Sequence, residues 1–280
     1  MDTISCIKHA LHEDIQDGDI TSILLLTESR HVSAKLIAKE TGVFFGNSII
    51  EGFKTLYPNL LFSDQISDGM FVKKGDCCLV LSGDIRDIVT LERTLLNFLQ
   101  RLSGIASITR QFVDALDDPS IQVLDTRKTT PLFRTLEKAA VVAGGGFNHR
   151  FGLYDMVLVK ENHLISYIQE FGVDQFNQRL HDHKQGQPTI LVEVEVNDLT
   201  LLHEIDLNYI DIIMFDNMSI TDLENAINHV NKSEHQPLKE VSGNICLNTI
   251  SRYRGIDIDR ISVGSLTHSV KALDLSLLVQ

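Results

Sequence analysis

The sequence predicts an α/β protein whose C-terminal part is a β/α barrel. Three observations carry that expectation. Beyond Pro119 come six apolar runs rich in β-branched residues, IQVLD, DMVLV, ILVEVEV, DIIMF, LKEVSG and RISVG. Helix-length segments separate them, which is the pattern of parallel strands covered on both faces. Charged, hydroxyl or glycine residues mark the runs at or near their ends: Thr126-Arg127-Lys128, Lys160-Glu161-Asn162-His163, Glu193 and Glu195, Asp216-Asn217, Ser242-Gly243 and Gly264. In a β/α barrel such residues converge on one rim, the one that does chemistry. Finally, the apolar period changes at Asp87, where Leu91, Leu95, Phe98 and Leu102 recur at helical spacing.

The elements before the barrel can be read in order. Residues 1–20 predict a helix, with Ile4, Ile7 and Leu11, followed by an acidic turn, EDIQDGDIT, in which Asp17 and Asp19 flank Gly18. VSAKLIAKETGVFF alternates as strand, a turn at Thr41-Gly42, and strand again. A helix is expected over Asn47 to Leu56, then short strands bracketed by Asp68-Gly69 and Lys73-Lys74-Gly75-Asp76. In the helix after Asp87 the four apolar residues fall within about 60° of one another at about 100° per residue. Arg93 lies almost opposite them and is free to meet solvent or a second subunit. The stretch His181 to Pro188 reads as a polar loop whose two histidines, His181 and His183, lack a third metal ligand.

Composition narrows the partners. The chain has 280 residues, is 43% apolar and carries a formal net charge of -13. That balance argues against nucleic acid or an anionic membrane, both of which reward a basic surface. The start shows no secretory signal and no run approaches a membrane span, so a cytosolic protein is expected. Cys6, Cys77, Cys78 and Cys246 form no C-x-x-C pair and are expected to be reduced.

Against the acidic background, the segment from Arg127 to Lys160 sets Arg127, Lys128, Arg134, Lys138, Arg150 and Lys160 against only Glu137 and Asp155, with His149 and three consecutive glycines, Gly144 to Gly146. It suggests a pocket for a small, highly charged anion. Glu193 and Glu195, two apart on a strand, share a face and need cations or a metal, for which Lys128 and Lys160 are the natural partners and Asp216 a third acid. Glycine at Gly243 and Gly264 lets backbone N–H groups approach a phosphate. A substrate with a phosphate, a hydroxylated middle and a second polyanionic end meets all three kinds of group. Phosphoribosyl pyrophosphate with Mg²⁺ is such a molecule.

TRKTTP with LEKAAV, GGGFNHRFGLYDMVLVKENH, VEVEV, FDN, VSGNI and SVGSLTHSVKALDLSL together resemble the quinolinate phosphoribosyltransferases, as do EDIQDGDIT and ERTLLNFLQRLSGIA. The resemblance runs through nearly the whole chain. It implies a type II phosphoribosyltransferase fold: an N-terminal α/β sandwich over residues 1–105, an incomplete barrel of six or seven strands over 106–264, and a C-terminal segment, 265–280, folded back on the sandwich. It implies a homodimer or an assembly of dimers, and transfer of phosphoribose from phosphoribosyl pyrophosphate to quinolinate with Mg²⁺, giving nicotinate mononucleotide, pyrophosphate and CO₂. Carried over by motif, Arg127, His149, Arg150 and Lys160 would hold the quinolinate carboxylates, and Arg93 would come from the neighbouring subunit. Lys128, Glu195 and Asp216 would serve ribose, pyrophosphate and metal. Ser242, Gly243 and Gly264 would hold the 5′-phosphate, with His268 a phosphate or pyrophosphate contact.

The chain departs from the family's usual pattern at Leu132 and Asn244, where glycine is usual, at Glu161, where aspartate is usual, and at Phe44-Phe45, where smaller residues are usual. Two other readings share these motifs: a same-fold relative acting on another acceptor, as in molybdenum-transport operons, and a non-catalytic sensor of phosphoribosyl ligands. Retention of Lys160, Asn162 and His163 argues against the first, and of Arg93, Arg127, Arg150 and Lys160 together against the second.

Overall fold

The computed structural model describes residues 2–280, which divide into two compact units. The first comprises residues up to Gln111, Lys128–Gly146 and Ser265–Gln280; the second comprises Phe112–Arg127 and Phe147–Gly264.

The first unit opens with α1 (Thr3–Ile15), capped by the Asp2 side chain, and α2 (Ile20–Leu25), capped by Asp19 at the end of the acidic turn. The turn reverses through Gln16 and Gly18, both at positive φ. Strand β1 (His31–Ala38) buries alternate residues, Val32, Ala34, Leu36 and Ala38, as a one-sided strand should. It is followed by β2 (Gly42–Val43), α3 (Asn47–Leu56), β3 (Leu61–Ser63), β4 (Phe71–Val72), β5 (Cys77–Asp84) and α4 (Ile85–Leu116). β2 pairs with β4 rather than with β1, so the turn at 39–41 ends one sheet and starts another. Leu91, Leu95 and Leu102 of α4 are wholly buried and Phe98 nearly so, whereas Arg93 is exposed, as the helical phase requires.

In the second unit come β6 (Gln122–Leu124), then, beyond α5 (Arg134–Ala143) of the first unit, β7 (Val157–Val159), α6 (Glu161–Phe171), α7 (Val173–Gly186), β8 (Val192–Val196), α8 (Leu199–Glu204), β9 (Ile212–Asp216), α9 (Ile220–Val230), β10 (Leu238–Ser242) and β11 (Arg260–Ser262). The six strands form one wholly parallel sheet in the order β6-β11-β10-β9-β8-β7. Phe147 bridges Leu124 and starts a seventh position beyond β6. The sheet is thus the strand set of the expected barrel. The polar stretch read as a loop from His181 is helical as far as Gly186: His181 and His183 lie on the last turns of α7, whose buried Phe176 and Leu180 hold it in place. Few apolar residues mark that helix, which is why its sequence reads as loop.

The first unit closes with α10 (Ser265–His268) and β12 (Leu275–Val279). β12 pairs antiparallel with β1, with Leu277 opposite Leu36, and completes the antiparallel sheet β12-β1-β5-β3. Gln100 of α4 donates to the Leu275 carbonyl at 2.7 Å, and Lys271 pairs with Glu40 at 2.8 Å, so the C-terminal segment is tied by both sheet and side chains.

Candidate active site

In the second unit the working residues follow strand ends. β6 runs into Asp125, wholly buried, whose Oδ1 accepts the amide N–H of His149 at 3.0 Å, while its own N–H donates to the Phe147 carbonyl at 3.1 Å. These bonds pin the stretch 147–150 beside Thr126 and Arg127. Asp155 then accepts the N–H groups of Phe151 and Gly152 and shapes the turn that follows. Arg150 donates to the Met156 carbonyl at 3.0 Å. Partial burial and, next, the like charge of Arg127 lower the pKa of Arg150. The Arg127 guanidinium is therefore close enough to disfavour the charge on Arg150, an arrangement that an anion relieves.

His149 turns inward. Its Nδ1 accepts the Arg150 N–H at 2.8 Å, and its Nε2 lies 3.1 Å from Glu193 and 3.4 Å from Glu240, both wholly buried. Arg260, on the neighbouring strand, stands 3.7 Å from Glu240. The expected partners of Glu193 were lysines; its partner is this histidine, because Glu193 lies below the rim. Glu240 and Asp125 escaped the sequence reading, although a glutamate in the middle of LKEVSG, on a strand covered on both faces, carries the same signal as Glu193.

The side chains of His149, Glu193 and Glu240 offer ligand atoms within 4.8 Å of one another, a spacing that a metal could bridge. The Arg150 amide argues against that use. It makes Nδ1 an acceptor, so the ring proton sits on Nε2 and leaves no lone pair there for an ion. Burial works to lower the His149 pKa, yet the hydrogen bonds and charges of Glu193 and Glu240 outweigh it and push it up to about 9. A fully charged ring would put a second proton on Nδ1, against the Arg150 N–H. The geometry therefore favours the excess proton on the carboxyl side, where burial and the charge of Glu240 raise Glu193. In either case the cluster holds one more proton than its parts would hold in water.

Glu195, half-buried at the end of β8, has its pKa raised by burial and then by the charge of Asp216, with the charge of Lys160 and the N–H of Glu161 opposing. Glu195, Asp216, Lys160 and the start of α6 are thus neighbours. Asp216 stands in register with Ser242 across β9 and β10. The strand β10 then turns through Gly243 and Asn244, at φ +94° and +50°. Gly264 follows β11 on the next strand, after Val263 donates to the Leu124 carbonyl.

Arg93, Lys128 and His268 belong to the first unit. There the Glu137 carboxylate, wholly buried, gathers three segments: it accepts from Arg101 at 2.7 Å and from the Thr130 N–H at 3.0 Å, and Arg101 also donates to the Thr267 carbonyl. The Thr267 hydroxyl donates to the Lys128 carbonyl at 2.8 Å. Lys128 and the exposed His268 are brought onto adjoining segments by this knot, which the sequence reading missed because Glu137 passed for one acid within a basic stretch.

Residues 19–103 match the family model for the N-terminal domain of quinolinate phosphoribosyl transferase, and residues 105–278 match that for its C-terminal domain. The chain belongs to the quinolinate phosphoribosyltransferase family. Among its relatives, a probable nicotinate-nucleotide pyrophosphorylase [carboxylating] of Bacillus subtilis is 39% identical over 97% of this chain and 91% of its own length. The Mycobacterium leprae protein of that name, without the qualifier, is 33% identical over 97% of this chain and 95% of its own. The crystal structure of NadC from Streptococcus pyogenes superposes with a TM-score of 0.89 at 40% identity, covering 99% of this chain and 96% of that one. The family fold and the parallel six-stranded sheet described above agree. No helix among the described residues is long and apolar enough to cross a membrane.

Proposed function

We propose that this chain carries out its family's reaction: transfer of phosphoribose from phosphoribosyl pyrophosphate to quinolinate with loss of CO₂, giving nicotinate mononucleotide and pyrophosphate in NAD biosynthesis. The observation that carries the reading to these residues is geometric: the Phe147–Leu124 bridge and the Asp125–His149 hydrogen bond set the segment that carries Arg150 against the end of β6 that carries Arg127. A planar dicarboxylate answers two guanidinium forks better than any single charge does.

In this reading Arg127, Arg150 and Lys160 hold the two carboxylates, and His149 serves them from beneath, its ring engaged by the Arg150 amide and the buried glutamates. The pyridine nitrogen attacks the ribose carbon as its bond to pyrophosphate breaks. Glu195 and Asp216 stabilise the oxocarbenium character that develops there. The alkylated ring then accepts the electron pair of the adjacent carbon–carboxylate bond; CO₂ leaves, and a proton takes its place on the ring carbon. Ser242, Gly243 and Gly264 hold the 5′-phosphate with backbone N–H groups.

Glu195, whose proton affinity is raised by burial and then by the charge of Asp216, and Asp216 beside it are both open to solvent on one side and suit a hard divalent cation such as Mg²⁺. Glu195 and Asp216 would hold Mg²⁺ together with phosphoribosyl pyrophosphate, and the ion would supply positive charge for the departing pyrophosphate. The roles of Lys128 and His268 at pyrophosphate or phosphate, and of Arg93 in a partner's site within a homodimer or assembly of dimers, rest on the family resemblance, as does a cytoplasmic location. Turnover with an acceptor panel tests the function: quinolinate should react with phosphoribosyl pyrophosphate and Mg²⁺, and nicotinate should not. Tight quinolinate binding without turnover would instead favour a sensor.

A further inference from the structure

Beyond the paired ends of β9 and β10, both strands leave the sheet through left-handed backbone, with φ of +55° at Asn217, +94° at Gly243 and +50° at Asn244. The Asn217 N–H donates to the Ser242 carbonyl at 3.0 Å and fixes the two turns side by side. The Asn217 side chain lies flat on Gly243, so that a methyl group there would meet Oδ1 at 2.3 Å. Its amide is held at both ends: Nδ2 donates to Oδ2 of Asp216 at 2.7 Å, and Oδ1 accepts from Nδ2 of Asn244 at 2.8 Å. Chemistry forces these orientations. A carboxylate accepts, so Asn217 turns its NH₂ to Asp216; its oxygen then faces Asn244, and Asn244 must donate.

We propose that Asn244 is a positioning residue, acting through Asn217 to hold the Asp216 carboxylate in one rotamer at the rim. The kinetic consequence rests on the function proposed above. A glycine at this position would make the same left-handed turn without the side chain. Asparagine, which tolerates that backbone, adds a donor to the relay. The relay ends on a charged group, where hydrogen bonds are strongest, and leaves Oδ1 of Asp216 as the oxygen that it does not use.

Two variants separate the side chain from the backbone. Asn244→Gly keeps the turn and deletes the donor; Asn244→Asp keeps the size and places an acceptor against an acceptor. For loss of one relay bond, kcat/KM for phosphoribosyl pyrophosphate should fall about three- to tenfold in Asn244→Gly, and further in Asn244→Asp, while KM for quinolinate stays within about twofold. Crystal structures should show Asp216 in one rotamer in the wild type and spread over two in Asn244→Gly. A single unchanged rotamer in Asn244→Gly, or an equal loss for both substrates accompanied by a lower melting temperature, would overturn the proposal. If the wild type does not turn over quinolinate, the functional reading fails on its own, and the Asp216 rotamers still decide the relay.

Discussion

Nε2 of His149 stands 3.1 Å from Oε2 of Glu193 in the interior of the parallel-sheet unit. The glutamate has no exposed surface, and its Oε2 and both Glu240 oxygens lack a well-aligned hydrogen bond. Burial, and then the charge of Glu240, make Glu193 favour holding a proton. The pH dependence follows. The cluster of His149, Glu193 and Glu240 takes up this proton on folding, and the pKa at His149 is raised from 6.5 to about 9, so the cluster's stabilisation is complete below the unfolded value and is lost as pH rises through the folded one. Chemical denaturation from pH 6 to 10 should show stability falling across that window, by up to about 3 kcal/mol. Glu193→Gln, which removes one of the raising charges, should flatten the fall. A wild-type profile that is level from pH 6.5 to 9.5 would contradict the assignment.

Gly243→Ala tests the cradle at the end of β10. The added carbon would lie 2.3 Å from Oδ1 of Asn217 at a φ of +94°, so both side chain and backbone resist it. The turn should shift, and kcat/KM for phosphoribosyl pyrophosphate should fall about 100-fold or more, equivalent to roughly 3 kcal/mol, with the overall fold retained by circular dichroism. Wild-type kinetics would remove this turn from the site.

Leu132→Gly should stabilise. Leu132 is 74% exposed and sits at φ +64°, a region that costs a branched residue about 1–2 kcal/mol. Glycine relieves that strain but loses more freedom on folding, leaving a net gain of about 0.5–1 kcal/mol. Thermal unfolding should show a rise of a few degrees, and a fall would mean that the Leu132 side chain has a contact worth more than its strain.

Arg93 is exposed on α4, on the side away from the buried apolar stripe. Arg93→Ala and Arg150→Ala should each be nearly inactive alone. Mixed under conditions of subunit exchange, they should recover about a quarter of wild-type activity, because half of the dimers are mixed and each of those has one intact site. No recovery in demonstrated hetero-dimers would place Arg93 outside the partner's site.

Much of this was legible in the chain. The parallel strands were readable because burial on both faces demands continuous apolar runs, and α4 because its apolar residues repeat at helical spacing with Arg93 opposite. The helical character of His181 to Gly186 was not, since Phe176 and Leu180 are the buried anchors of a helix that is otherwise polar. Within the site, strand ends pointed to Glu195, Asp216 and Ser242 because charges at the rim interrupt apolar patterns. Depth is what the pattern hides. Glu193 and Glu195 share a strand face, and only the fold shows the first buried against His149 and the second half-open beside Asp216. The Asn217–Asn244 bond joins residues 27 apart and has no periodic signature at all.

The most direct measurement is the stoichiometry of a single reaction: purified protein with quinolinate, phosphoribosyl pyrophosphate and Mg²⁺, followed by quantifying nicotinate mononucleotide and CO₂ together. One CO₂ for each nicotinate mononucleotide, abolished in Arg150→Ala, is the predicted result. A nucleotide product that keeps both carboxylates, or faster turnover of nicotinate than of quinolinate, would contradict the account.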